Sequence, residues 1–340
     1  PDRGQLIAAM RRLSGRTQRY PSLAYGRFAD IYKMVSGGQE LCYKVIRVYQ
    51  KTKVEHLAKV YAREAILWGQ LSHPNILPFY GLLKYRSRIA FVSCWASNGN
   101  LEDYLTEHPE ANRILLCSDT AAGVEYLHRN DIVHGDLKGL NVLIDGSGRA
   151  SLGDFGISSV TDPQILRWTS QSTVASTGGT TRWQAPELLV SEDKTKKIRN
   201  SKASDVFAWA SVCYEIFTGC LPFHEATNHA TVVLNTARGD IPTCPPDGDP
   251  AWTKHGLNNR IWQLMRDCWH FEPERRPDIA TVNFRLSSEK PVDLRSTGEW
   301  EKAAMRFRIA QDEALAKDLQ PFWEEMESLL SRVVPNISGE

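Results

Sequence analysis

The chain has 340 residues, enough for one large domain or two modest ones, and 42% hydrophobic with 24% charged residues is ordinary for a globular protein. Forty-one basic against forty acidic residues leave a formal net charge of +1, which excludes a global field that would recruit nucleic acid or an anionic membrane. Seven cysteines lie scattered at 42, 94, 117, 213, 220, 244 and 268, without a Cys-x-x-Cys pair or zinc-spaced histidines, so reduced thiols and a cytoplasmic or nuclear setting are expected.

Residues 1–20 carry five arginines and read as a short helix and linker ahead of Pro21. The N-terminus, Pro-Asp-Arg-Gly, has neither an initiator Met nor a signal-peptide pattern, which leaves room for a fragment with domains upstream. From 22 to 95 a small strand-rich region is expected, with strands at Leu41–Ile46 and Ile89–Val92. Between them, Val54–Leu71 has apolar residues at helical spacing and stops before Ser72-His73-Pro74. Beyond about residue 100 the chain reads as mainly helical, most clearly at Ile114–Leu127, Ala203–Thr218 and Leu257–Trp269. The longest apolar run, Val206–Leu221, is interrupted by Glu215 and too short to span a bilayer, so it reads as a core helix.

The chemistry-bearing residues concentrate in His134-Gly135-Asp136-Leu137-Lys138-Gly139-Leu140-Asn141 and in Asp154-Phe155-Gly156, with the two aspartates eighteen positions apart. Phosphoryl transfer to a hydroxyl needs an acceptor that orients the hydroxyl, a cation on the moving phosphoryl group, and oxygen ligands for magnesium. Asp136, Lys138, and the pair Asn141 and Asp154 supply these in order. A lone Asp-Phe-Gly is common by chance, whereas the ordered pair of segments is specific. This arrangement resembles the catalytic and metal-binding loops of protein kinases. The resemblance runs from about Ser22 to Leu286 and implies an α+β, bilobal fold: a small antiparallel-sheet lobe over about 21–95 and a larger, mainly helical lobe over about 97–288. A C-terminal extension, 289–340, would follow.

The same resemblance implies further roles. Lys44, in Leu41-Cys42-Tyr43-Lys44, is similar to the kinase strand lysine, and Glu64 stands where its helix carboxylate is expected. Ala24-Tyr25-Gly26-Arg27-Phe28-Ala29 occupies the phosphate-covering loop. Only Gly26 matches the three glycines of the family pattern there; Ala24 and Ala29 add a methyl each where bare backbone would approach phosphate. Ile31 and Cys42 would lie above adenine and Leu143 below it, with Ser93 as a small gatekeeper and the backbone of Cys94 and Ala96 bonding the base. Thr180, in Gly179-Thr180-Thr181-Arg182-Trp183, would fix Asp136 and Lys138, a combination that resembles serine/threonine specificity. Glu187 and Arg276 are expected to form a structural ion pair, and Asp205 to brace the catalytic loop.

Gly99-Asn100-Leu101, His73-Pro74-Asn75-Ile76 and Cys268-Trp269 make the chain similar to the tyrosine-kinase-like group. The Val133–Gly139 wording resembles expanded kinase sets of fungi. Where the family usually has an arginine that clamps a phosphorylated activation segment, this chain has Gly135; Thr169, Ser170, Ser172, Thr173, Ser176 and Thr177 follow within 154–187. The charged stretch Glu192–Arg199 reads as a solvated loop, with substrate docking the rarer outcome. Two amphipathic helices separated at Pro321 are expected across 298–333, packing on the large lobe or binding a partner helix, with a truncated further domain the equal alternative. The resemblance thus implies a serine/threonine kinase acting on protein substrates with ATP and Mg²⁺ in intracellular signalling. No nucleic acid and no membrane span are expected. The alternative is a pseudokinase scaffold; the retained set Lys44, Glu64, Asp136, Asn141 and Asp154 favours catalysis, and the alanine-substituted loop favours the scaffold.

Overall fold

The computed structural model describes residues 29–36, 39–46, 68–69, 71–85, 88–154, 159–160, 181–189 and 199–296. These fall into two compact units. The first holds the described residues up to 72 and Leu77–Trp95; the second holds His73–Ile76 and the described residues from Ala96 onward. Ala24, Gly26, Glu64 and Thr180 lie outside the described residues. So do most of the expected 54–71 helix, the hydroxyls at 169–177, nearly all of the 192–199 loop and the expected helices of 298–333.

The first unit is built on a four-stranded antiparallel sheet. Its strands are β1 (Ala29–Ser36), β2 (Gln39–Ile46), β3 (Phe79–Tyr85) and β4 (Arg88–Cys94), in the spatial order β1-β2-β4-β3. Alternation along β2 buries Leu41, Tyr43 and Val45 and leaves Cys42 and Lys44 half-buried on the opposite face. On the Lys44 face, Phe91 stacks on Trp68, which also stacks on Phe79 at a centroid distance of 4.8 Å. The Trp68 indole N–H reaches the Leu77 carbonyl at 2.6 Å, so this large ring is buried with its polar atom satisfied.

The second unit is mainly helical. It comprises α1 (Leu101–Glu107), α2 (Arg113–Arg129), α3 (Pro186–Leu189), α4 (Lys202–Thr218), α5 (His229–Ala237), α6 (Pro250–Thr253), α7 (Asn259–Cys268) and α8 (Ile279–Ser287). Two short two-stranded antiparallel sheets interrupt it: β5 (Ile132–Val133) pairs with β8 (Ser159–Val160), and β6 (Val142–Ile144) pairs with β7 (Ala150–Leu152). Helix α4 is the core: Ser201 and Ser204 form a reciprocal cap at its start, Gly219 ends it at φ +69°, and Ser204–Phe217 is buried throughout. The apolar run that reads as a core helix in the sequence is one as far as Thr218; Leu221, beyond the Gly219 cap, is exposed. Its interrupting residue, Glu215, is buried with the rest.

His73–Ile76 groups with the helical unit because its backbone is sewn onto β7. Leu152 donates to the Asn75 carbonyl at 2.9 Å, the Asn75 side chain donates to the Ala150 carbonyl at 2.8 Å, and the Ser151 hydroxyl donates to the Pro74 carbonyl at 2.9 Å. No described helix is long and apolar enough to cross a membrane, and all seven cysteines are free thiols.

Candidate active site

In the first unit, strand register gathers the candidate nucleotide residues. Ile31 lies opposite Lys44, Lys44 opposite Phe91, and Cys42 opposite Ser93, and directly opposed residues share a face. Ile31, Cys42, Lys44 and Ser93 therefore line one side of the sheet, and Ala29 begins the same row. Burial pushes the Cys42 thiol up, to about 11, against a hydrogen bond from Ser93 and the charge of Lys44, so it stays protonated and apolar in character. Cys94 is buried at the end of β4 with its sulfur 2.9 Å from the Tyr80 hydroxyl. The division between the units falls between Trp95 and Ala96.

The second unit holds the other described candidates. The chain leaves β5 at Val133 and enters a loop whose backbone donors are satisfied by helix α4. Asp205, in the first turn of that helix, accepts from the His134 amide at 2.7 Å and the Gly135 amide at 2.9 Å, and from the His128 ring at 2.9 Å. The expected brace is present. Gly135 adopts φ +78°, where a side chain is disfavoured, so glycine here serves the turn as well as displacing the arginine of the family pattern. His134 is fully buried. Its Nε2 donates to the Gly153 carbonyl at 3.1 Å and its Nδ1 accepts from the Asp136 amide at 3.3 Å, a pattern that selects one tautomer and ties the loop to the residue before Asp154.

Asp136 is thereby aimed. Its Oδ2 accepts from Lys138 Nζ at 2.6 Å and from Asn141 Nδ2 at 3.0 Å; the same Asn141 nitrogen donates to the Asp136 carbonyl at 2.7 Å. Its Oδ1 is buried and has no hydrogen-bond partner. Because the Asn141 amide nitrogen is spent on Asp136, the carbonyl oxygen is the atom that side chain has left for a cation. Asp154 has φ +60°, uncommon for a residue with a side chain and the kind of strain that collects at functional sites. Leu143 sits half-buried in the middle of β6.

A family model for the protein kinase domain matches residues 18–284. The chain belongs to the protein kinase family. Serine/threonine-protein kinase STY17 of Arabidopsis thaliana is 27% identical over 264 residues, which are 76% of this chain and 42% of that protein. Serine/threonine/tyrosine-protein kinase HT1 of the same plant is 26% identical over 266 residues, 76% of this chain and 63% of that protein. The putative serine/threonine-protein kinase/receptor R818 of Acanthamoeba polyphaga mimivirus is 30% identical over 256 residues, 73% of this chain and 14% of that protein. This kinase chain thus spans less than two thirds of each relative's length. These relatives are plant and viral proteins and lend no support to the likeness with fungal sets.

Two residues that sequence reasoning passed over join the kinase loop to its surroundings. The Oε1 of Glu215, from α4, accepts from the Gly139 amide at 3.1 Å and from the Trp183 indole at 2.5 Å, linking the catalytic loop to the segment before α3. Burial pushes this carboxyl up to about 8, the Trp183 bond opposing and the Glu102 charge adding to the shift. The available signal was a single carboxylate inside an apolar helical run. Behind this site Arg276, its side chain fully buried, grips Glu187 with two bonds of 2.8 Å, the expected ion pair.

Proposed function

We propose that this chain catalyses ATP-dependent phosphorylation of serine and threonine hydroxyls in protein substrates, as a member of the tyrosine-kinase-like group. The observation that carries this reading is Asp136, with one carboxylate oxygen held by Lys138 and Asn141 and the other buried without a partner. A substrate hydroxyl donating to that free oxygen is oriented for attack on the γ-phosphorus. As the new P–O bond forms, the bond to the ADP oxygen breaks and the hydroxyl proton passes to Asp136. Lys138, beside the same carboxylate, offsets charge on the moving group, and Thr180 would steady both.

The Asn141 carbonyl oxygen and the Asp154 carboxylate are hard donors that suit Mg²⁺, which binds proteins through one or two carboxylates together with substrate phosphates. Bound there, the ion would supply charge neutralisation on those phosphates. Lys44 paired with Glu64 would hold the inner phosphates, Ala24, Gly26 and Ala29 would cover them, and Ile31, Cys42, Leu143 and the backbone of Cys94 and Ala96 would hold adenine. The two-lobe division near residue 96, an extension from 289 that docks through 298–333, and an intracellular setting for seven free thiols belong to this reading. The non-catalytic scaffold is favoured only by Ala24 and Ala29 standing in for glycine.

Mass spectrometry of protein incubated with ATP and Mg²⁺ tests it. Phosphoserine and phosphothreonine are expected, and dominant phosphotyrosine would refute the specificity. In Asp136→Asn, transfer should fall about 10²–10⁴-fold, the usual worth of a proton acceptor, with ATP binding retained by calorimetry. Transfer at the unmodified rate would remove Asp136 from its role.

A further inference from the structure

The protein kinase match ends at residue 284, yet the chain that follows α8 returns to the β6–β7 turn and is locked there by Arg295. All five guanidinium N–H donors are used. Nη1 donates to Asp119 Oδ2 and to the Gly148 carbonyl, both at 2.8 Å; Nη2 donates to Asp119 Oδ1 at 3.1 Å and Asp293 Oδ2 at 3.0 Å; Nε donates to Asp293 Oδ1 at 3.0 Å. Arg149 closes the ring from the turn itself, pairing with Asp293 at 3.0 Å and donating to the carbonyls of Ser296 and Arg295. Asp119, from α2, is almost wholly buried and also accepts the Ala150 amide at 3.0 Å. A fully used guanidinium on a buried carboxylate is a built contact, unlike an exposed ion pair of little worth.

What the clasp grips bears on the proposed nucleotide site. The turn it holds joins β6, which carries Leu143, to β7. On its other side β6 is bonded to the stretch that follows Ala96: Asn98 donates to the Ile144 carbonyl at 3.2 Å through its backbone and to the Asp145 carbonyl at 2.7 Å through its side chain, and Ile144 donates to the Gly99 carbonyl at 2.9 Å. One bonded layer therefore runs from residue 295 through the turn to residues 98–99. Both the adenine floor and the chain next to the adenine-bonding backbone belong to it.

We propose that Arg295 is a positioning residue for nucleotide binding, through which a segment beyond the kinase match sets the placement of Leu143 and of the chain after Ala96. The proposal rests on the kinase reading above for its ligand, ATP. It touches no reacting atom, so its loss acts on affinity and leaves the chemical step in place. Arg295→Ala should raise KM for ATP about three- to tenfold, the factor equivalent to one ordinary hydrogen bond, with kcat changed less than about twofold. Arg295→Lys should fare nearly as badly, because an ammonium keeps the charge but cannot fill five sites of a planar fork. Asp293→Asn, a milder change at the surface of the clasp, should give a smaller rise in the same direction.

The experiment compares these proteins with Val282→Ala, a truncation of a buried residue in α8 that is not one of the clasp's own residues. KM and kcat are measured on a peptide, and amide hydrogen exchange is followed at 98–100 and 145–150. A KM rise and faster exchange at both segments in the Arg295 variants, absent from Val282→Ala, are expected. Equal KM shifts in Val282→Ala, or exchange quickened only at 293–296, would overturn the proposal. Should the unmodified chain fail to bind ATP, the kinase reading falls, while the exchange data still decide whether the clasp couples to residues 98–100.

Discussion

Two loops of the helical unit, the catalytic loop 134–141 and the β6–β7 turn, are both held by carboxylates reaching out of buried helices, and they are held differently. The catalytic loop hangs on Asp205 and Glu215 of α4 through backbone amides, and Glu215 has only neutral donors, the Gly139 amide and the Trp183 indole. The turn is tied to Asp119 of α2 through Arg295, a cation that meets both carboxylate oxygens. Burial raises the pKa of both Asp119 and Glu215. For Asp119 the Arg295 bond and charge oppose that rise; Glu215 has the charge of Lys138 but no cation bonded to it, and reaches about 8. Neutral hydrogen bonds orient a buried carboxyl, and a guanidinium also brings an opposite charge that works against the rise. The turn has support of its own besides: Asp145 Oδ1 accepts from the Ser147 and Arg149 amides at 2.9 and 3.0 Å.

The strongest way to break this contrast is to remove each anchor. Asp205→Ala orphans the buried His134 amide, at about 1–3 kcal/mol, and the half-buried Gly135 amide, at less. Phosphoryl transfer should be lost along with that stability, as read by denaturant unfolding and peptide kinetics. Asp119→Ala should cost stability while leaving measurable transfer, because Asp145 still shapes the turn. Equal loss of transfer in both variants would end the distinction.

A smaller effect is expected from Gly139→Ala. A Cβ on Gly139 would stand 2.6 Å from Glu215 Oε2 and 3.2 Å from its Cδ, so the carboxyl must move and release Trp183. Overpacking of this kind costs about 1–3 kcal/mol. Glu215→Ala makes room for the methyl, so a double-mutant cycle should show coupling; additive losses would mean the two groups do not meet.

The smallest effect is a pH dependence. Glu215 has a folded-state pKa of about 8 against 4.5 for the free side chain, so across that interval the folded protein binds the extra proton. Stability from this group is complete below the lower value and is lost as pH rises through the upper one. Glu215→Gln cannot ionise. The melting temperature of the variant minus that of the unmodified protein should therefore climb between about pH 5 and about pH 8.5. A flat difference would mean that Glu215 is ionised throughout, like a carboxylate with a cation of its own.

Much of the architecture was legible in the sequence because it rests on local patterns. The strand-like stretch at 41–46 became β2, and the helical spacings at 114–127 and 203–218 became α2 and α4, with ends displaced by a residue or two. The loop chemistry was legible too: Asp136, Lys138 and Asn141 meet within hydrogen-bond distance because all three lie on one tight turn. Gly135 was legible only in part. The missing arginine could be read, but the left-handed backbone that demands glycine could not.

What the order of residues determined by itself is everything carried by neighbours along the chain: element types, the row of Ile31, Cys42 and Lys44 on one sheet face once register is set, and the identity of the loop as a kinase loop. What only the tertiary structure decided is which distant groups satisfy that loop and its neighbouring turn. Arg295 and Asp119 are 176 positions apart, and Glu215 and Gly139 are 76 apart. Periodicity reports which face of an element is buried, and it is silent on the partner. A lone glutamate in an apolar run or an arginine beyond the last helix acquires its role only when folding removes water from both groups and leaves each the other's nearest means of paying for desolvation.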